Sequence, residues 1–200
     1  MNNLVAVSQM VIVEKSRSER RDALDHRIIN WISRDGYFSP VPVPNTLGHN
    51  KLIAWLHKIN PCGIVLTGGG NIGDFAHRDK TETKLLVWAS MENKPVLGIC
   101  RGMQMIGVFC GSKLIHVSGH VNTNHIISGQ MNRKVNSFHE FALTDLPKSI
   151  KVLAQSEDNS IEAIRYNNWE GWMWHPERDM LSRDEIEDYM RFKNLFMGVI

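Results

Sequence analysis

Pro95-Val-Leu-Gly-Ile-Cys100-Arg-Gly-Met-Gln104-Met-Ile-Gly107 is the stretch whose reading decides the fold. Residues 96–99 form a short apolar run of the kind that makes a buried parallel strand. The run stops at Cys100, and Met103, Met105, Ile106, Val108 and Phe109 then supply the apolar face of a helix. Gly98 and Gly102 bracket the cysteine at minus two and plus two. Strand, sharp turn and helix with a thiol at the apex is the layout of a nucleophile elbow, with sulfur in place of oxygen. Small neighbours suit it because a strained turn brings backbone segments close together. A helix N-terminus favours thiolate over thiol, and the N–H of Arg101 would face an oxyanion formed beside the sulfur. The competing reading is a buried structural cysteine, which explains neither the glycine bracket nor Gln104.

Outward from the elbow, strands alternate with helices. Residues 4–13, apolar and β-branched, are predicted as a first strand. Residues 16–36 are predicted as a helix, capped by Ser16 or Ser18 and stopped by Gly36. A strand over 37–43, a helix over 51–59, a strand over 63–67 and a helix over 81–93 follow. Beyond Gly111 come short strand candidates at 113–117, 134–143, 151–155, 161–166 and 171–174. A last helix starts at a capping box formed by Ser182 and Glu185. The pattern predicts an α/β fold, a doubly wound, mostly parallel sheet with an antiparallel C-terminal extension.

A chain of 200 residues suits one domain spanning 1–200, with roughly 70% of the unfolded surface buried. Its 23 Lys and Arg against 21 Asp and Glu leave a net charge of +2 and no basic stripe for nucleic acid. Cys62, Cys100 and Cys110 are an odd set with no C-x-x-C pair, against a disulfide framework or a cysteine zinc site. The N-terminal Met-Asn-Asn-Leu-Val-Ala-Val lacks a basic leader region. With no apolar run near about 18 residues, the expected setting is cytoplasmic, without membrane contact.

Open α/β sheets bind ligands at the carboxyl ends of their strands, where three distant pieces would meet. One is Cys100. The second is Gly68-Gly69-Gly70, either a tight turn or a source of oxyanion donors. The third is Trp174-His175-Pro176-Glu177-Arg178, in which His175 would serve the thiol as base and acid while Glu177 holds its other nitrogen. Two further stretches are candidates for substrate contact. In residues 71–82, read as a polar loop, Arg78 and Asp79 order the loop or Arg78 and Lys80 meet an anion. In residues 118–125, also read as a loop, His120 or His125 is a candidate contact for substrate or phosphate. Together with His116 these histidines superficially suggest a metal site, but no helical i, i+4 pair is present, so no metal is expected.

Gly-Ile-Cys100-Arg-Gly-Met-Gln104, Gly68-Gly69-Gly70 and His175-Pro-Glu177 together resemble the class I glutamine amidotransferase superfamily. Arg101 and Val135-Asn136-Ser137-Phe138-His139 are similar to its gamma-glutamyl hydrolase branch, which includes gamma-glutamyl-aminobutyrate hydrolases. The resemblance implies a flavodoxin-like sheet, a Cys100–His175–Glu177 triad, and an oxyanion hole from Gly69 or Gly70 with Arg101. It implies that Gln104 and Ser137–His139 hold the glutamyl group, residues otherwise read as polar positions of an edge strand. The implied reaction is cleavage of a gamma-glutamyl amide through a thioester, releasing L-glutamate without a cofactor.

Arg20-Arg21-Asp22-Ala-Leu24-Asp25 and Phe38-Ser-Pro40-Val-Pro42-Val-Pro44-Asn45 look similar to compact bacterial members associated with surface-polysaccharide synthesis. That similarity implies a nucleotide-linked substrate, gamma-glutamyl-CDP-amidate, cleaved to give cytidine diphosphoramidate for capsule modification. The alternatives are another gamma-glutamyl amine, a glutaminase subunit feeding ammonia to a separate synthase, and a catalytically inert binding module. The expected partner is the small gamma-glutamyl substrate; a homodimer is left open.

Overall fold

The computed structural model describes residues 3–179 and 183–199. In chain order it contains β1 (Leu4–Ser8), β2 (Met10–Glu14), β3 (Glu19–Ala23), α1 (His26–Ile32), β4 (Ser39–Val43), α2 (His49–Ile59), β5 (Gly63–Leu66), α3 (Ala76–Met91), β6 (Val96–Ile99) and α4 (Arg101–Phe109). It continues through β7 (Lys113–His116), β8 (Val121–Gly129), β9 (Arg133–Phe138), β10 (Phe141–Thr144), β11 (Lys151–Ser156), β12 (Ile161–Tyr166), β13 (Trp169–Trp172) and α5 (Arg183–Phe196).

β5 and β6 are apolar runs in which every residue is buried, as strands covered by helices on both faces must be. β4, β1, β5, β6 and β13 lie side by side in that order, all parallel. Counted along the chain this is 2-1-3-4-5, the flavodoxin-like doubly wound order. β12, β11, β8 and β9 extend the sheet antiparallel to nine strands. One face buries an aromatic cluster of Trp31 from α1, Phe192 and Phe196 from α5, and Trp172 and Trp174. The two tryptophans, two residues apart, stack with centroids 5.6 Å apart. The other face buries Leu52 and Leu56 of α2, Leu85 and Trp88 of α3, and Met103 and Ile106 of α4. Among the described residues no helix is long and apolar enough to cross a membrane.

The structure corrects the sequence reading in five places. The predicted strand over 4–13 breaks at Gln9, and β2 turns back through Ser18 (φ 53°) into β3 as a separate hairpin. The predicted helix over 16–36 shrinks to α1, capped by Asp25, whose carboxylate accepts the Arg27 N–H at 2.9 Å. Residues 16–23 offer no large apolar side chain to hold a helix against the sheet. α3 begins at Ala76, so Arg78 and Asp79 belong to a helix rather than a loop. Residues 121–125 are the start of β8, and the predicted strand over 134–143 is two strands in different sheets, since β10 pairs with β7. Ser182, the expected cap of the last helix, lies outside the described residues.

Candidate active site

Cys100 sits between β6 and α4 with φ 53° and ψ −109°, a conformation costly for a side chain with a Cβ. Its N–H donates to the Trp172 carbonyl at 2.7 Å, and its carbonyl accepts from Gln104 N–H at 3.1 Å. The glycine bracket is sterically required. A Cβ on Gly98 would lie 2.5 Å from the Gly102 carbonyl, and one on Gly102 would lie 2.2 Å from the Leu66 oxygen. The turn closes only where the chain can approach its own backbone this nearly.

β13 leads through Trp174 to His175, and Pro176–Arg178 forms a single 3-10 turn. His175 Nδ1 lies 2.7 Å from Glu177 Oε1, and the Cys100 side chain interacts with the same imidazole. Gly68 lets the ring in, since a Cβ there would fall 2.6 Å from His175 Cε1 and 3.4 Å from Cys100 Cβ. Burial opposes charging this imidazole, but the bonds to Cys100 and Glu177 outweigh it and raise its pKa to about 9. At neutral pH the ring is therefore an imidazolium, the charge partner a thiolate needs. At Cys62 and Cys110 burial pushes the thiols up to about 11.

One wall beside the sulfur is the glycine run, with Gly69 and Gly70 at φ 87° and 68°. Arg78, expected at the substrate, is instead 1% exposed and turned toward the back of this run. Its guanidinium donates to the carbonyls of Thr67 (2.7 Å), Gly68 (3.0 Å) and Gly69, and to Glu82 (2.9 Å). The helical start of α3 is what aims it there. The Arg101 side chain runs to the same place and pairs with Glu82 and Asp79.

The opposite wall comes from the end of β9. Phe138 packs edge-on to the His175 ring at 5.8 Å and carries the Arg178 guanidinium 4.1 Å from its centroid. A cavity of about 280 Å³ opens between the walls, lined by Gly69, Gly70, Cys100, Gln104, Phe138 and His139 among others. Gln104 Nε2 donates to the Phe141 carbonyl at 3.0 Å, which fixes the amide at the cavity's edge. Ser137 and His120, both expected as substrate contacts, are not in that lining. The Ser137 hydroxyl donates to the His120 carbonyl at 2.7 Å, and His120 lies 2.9 Å from Asp158. Ser137 braces the start of β8 against β9, and His120 reaches the turn between β11 and β12.

Two residues of this site escaped the sequence reading. Asn136 accepts the His175 N–H and donates to the His175 carbonyl, each at 2.9 Å, so one amide clamps the histidine's backbone. It lies inside the quoted 135–139 stretch, but nothing in that stretch tells it from its neighbours. Glu82, fully buried between two guanidiniums, also accepts the Ser8 hydroxyl at 2.9 Å. No local pattern marks it.

A family model described as glutamine amidotransferase class-I matches residues 23–188. Gamma-glutamyl-CDP-amidate hydrolase of Campylobacter jejuni is 28% identical, covering 88% of this chain and 90% of that protein. One component of the glutamine-hydrolyzing GMP synthase of Pyrococcus abyssi is 30% identical, covering 83% of this chain and 89% of that one. The crystal structure of a glutamine amidotransferase from Thermotoga maritima superposes with a TM-score of 0.64 at 16% identity, covering 99% of this chain and 94% of the other. That likeness is one of fold.

Proposed function

Because the chain belongs to the class I glutamine amidotransferase family, we propose that it is a cysteine-dependent hydrolase of a gamma-glutamyl amide, with gamma-glutamyl-CDP-amidate as substrate. The observation that carries the reading is the meeting of Cys100 and His175 at one cavity, with Glu177 holding the imidazole from its other nitrogen.

The Cys100 thiolate attacks the δ-carbonyl carbon, and the carbonyl oxygen becomes an oxyanion. The N–H of Arg101 and an N–H of Gly69 or Gly70 stabilise it; one such donor is typically worth about 3 kcal/mol. Imidazolium His175 gives its proton to the departing nitrogen as the C–N bond breaks, leaving a glutamyl thioester. His175, now neutral, takes a proton from water as the water oxygen attacks the thioester, and glutamate leaves with the thiolate restored. Glu177 keeps Nδ1 protonated, so the other ring nitrogen does the proton transfer. Gln104, Phe138 and His139 line the place of the glutamyl group.

The substrate assignment rests on the relationship to the Campylobacter jejuni protein. A cavity of about 280 Å³ is below the roughly 300–1,000 Å³ of sites that enclose a drug-sized ligand. It suits a glutamyl end whose nucleotide stays outside. The test is to incubate the purified chain with gamma-glutamyl-CDP-amidate, gamma-glutamyl-aminobutyrate and glutamine, and to follow glutamate by mass spectrometry. Release of cytidine diphosphoramidate from the first at the highest kcat/KM is the expected result. Preference for gamma-glutamyl-aminobutyrate rejects the nucleotide-linked substrate. Glutamine turnover that stays slow until a synthase is added moves the reading to an ammonia-supplying protein.

A further inference from the structure

Behind the Phe138 wall, His120, His125, His139 and Glu162 crowd together. Their sequence positions hide this. His120 and His125 are five apart, so a regular strand would send them to opposite faces. The pairing of β8 with β9 shifts register between Val121 and Thr123, and Asn122 there has φ 53°. This bulge reverses the alternation and brings both imidazoles to one side. Glu162, from β12, is fully buried between them.

The hydrogen bonds on the outer nitrogens fix the tautomers. The Phe141 carbonyl, 3.1 Å from His139 Nδ1, can only accept, so the proton of that ring sits on Nδ1. Asp158 accepts from His120 Nε2 at 2.9 Å. With those outer nitrogens donating, His120 Nδ1 and His139 Nε2 face each other only 3.2 Å apart. The Glu162 carboxylate is close to both, at 3.6 and 3.4 Å, and its second oxygen lies 3.3 Å from His125 Nε2. Neither Glu162 oxygen nor His125 Nε2 has a hydrogen-bond partner among the described residues. Two inward-facing ring nitrogens and a carboxylate converge there, with His125 Nε2 beside them.

Such an arrangement calls for a cation at its centre. Bonds of about 2.0–2.1 Å at tetrahedral angles set zinc ligand atoms about 3.4 Å apart, close to the 3.2–3.6 Å separations found here. The ligand atoms of His120, His125 and Glu162 all lie within 4.8 Å of one another. Asp158 and the Phe141 carbonyl supply the outer acceptors that orient metal-binding imidazoles. We propose that His120, His125 and Glu162, with His139 packed beside them, bind a zinc-class divalent cation that ties β8 to β12 behind the substrate cavity.

The test is metal titration of the full chain after chelator treatment. Cobalt(II) is the probe, since its visible bands report tetrahedral nitrogen–oxygen ligation and its near-ultraviolet charge transfer reports a thiolate ligand. The expected result is one equivalent of cobalt without a thiolate band, displaced by zinc, and a higher Tm when loaded. Glu162→Gln and His125→Ala should each weaken binding at least about tenfold, whereas Cys100→Ser should leave it unchanged. The absence of saturable binding would overturn the proposal, leaving a proton as the charge between the rings. Binding that survives Glu162→Gln, or that Cys100→Ser abolishes, would overturn it equally.

Discussion

Two buried polar clusters back the two walls of the cavity, and they treat their charges in opposite ways. Behind the glycine run, the guanidiniums of Arg78 and Arg101 meet the carboxylates of Glu82 and Asp79. Positive and negative groups are equal in number, and backbone carbonyls take up further donors. Behind Phe138, three imidazoles surround one carboxylate whose oxygens have no hydrogen-bond partner among the described residues. A network closed in this way at all but Arg101 Nε among the described residues is scaffold, and its cost of desolvation is recovered only while every partner stays. An open one marks a place built for something else. The reacting groups lie between: Cys100 strained on the elbow, and His175 held by its backbone as well as its ring.

Removing the sulfur is the most severe change. Cys100→Ala should abolish glutamate release while leaving the Tm near wild type, because both walls remain intact; calorimetry beside an activity assay checks it. His175→Ala should lower kcat by at least about 10³-fold, and Glu177→Gln by less, since the carboxylate orients the ring without transferring the proton. Equal losses for the two would assign Glu177 a larger part.

The walls themselves separate in stability. Glu82→Gln leaves two buried guanidiniums short of charge and should cost about 3–5 kcal/mol in urea unfolding, as when one partner of a buried ion pair is deleted. Glu162→Gln in metal-free protein should cost less than half as much, because the charge it removes has no hydrogen bond to lose. If Glu162→Gln proved the more damaging, the distinction between closed and open networks would fail.

The gentlest effect is on pH. His175 titrates at about 9 in the folded chain, above its ordinary 6.5. Its contribution to stability is therefore complete below pH 6.5 and lost as the pH rises from there through about 9. Unfolding free energies measured from pH 6 to 10 should fall in that window for wild type. The fall should be smaller for Cys100→Ala, which lacks the sulfur partner. Identical pH profiles would separate the titration from the cysteine.

Much of the fold was legible because it depends on local signals. Residues 63–67 and 96–99 announce buried parallel strands by apolar continuity, and Gly98 and Gly102 announce the elbow by size. The motifs of the candidate site lie at strand ends, and the chain order of the strands puts those ends together. What stayed hidden depends on distant partners. Arg78 reads as a solvated loop residue until α3 carries it under the glycine run. Ser16 and Ser18 read as helix caps, yet only from Leu24 on are there large apolar side chains to anchor a helix. The histidine cluster depends on one bulge at Asn122, which no periodicity reveals.

The most direct measurement is the mass of the protein trapped during turnover. Acid quenching of the chain mixed with gamma-glutamyl-CDP-amidate, followed by peptide mapping, should find a glutamyl group on the peptide containing Cys100 and none on those containing Cys62 or Cys110. Glutamate release at the wild-type rate by Cys100→Ala, or a glutamyl group on either other cysteine, would contradict it.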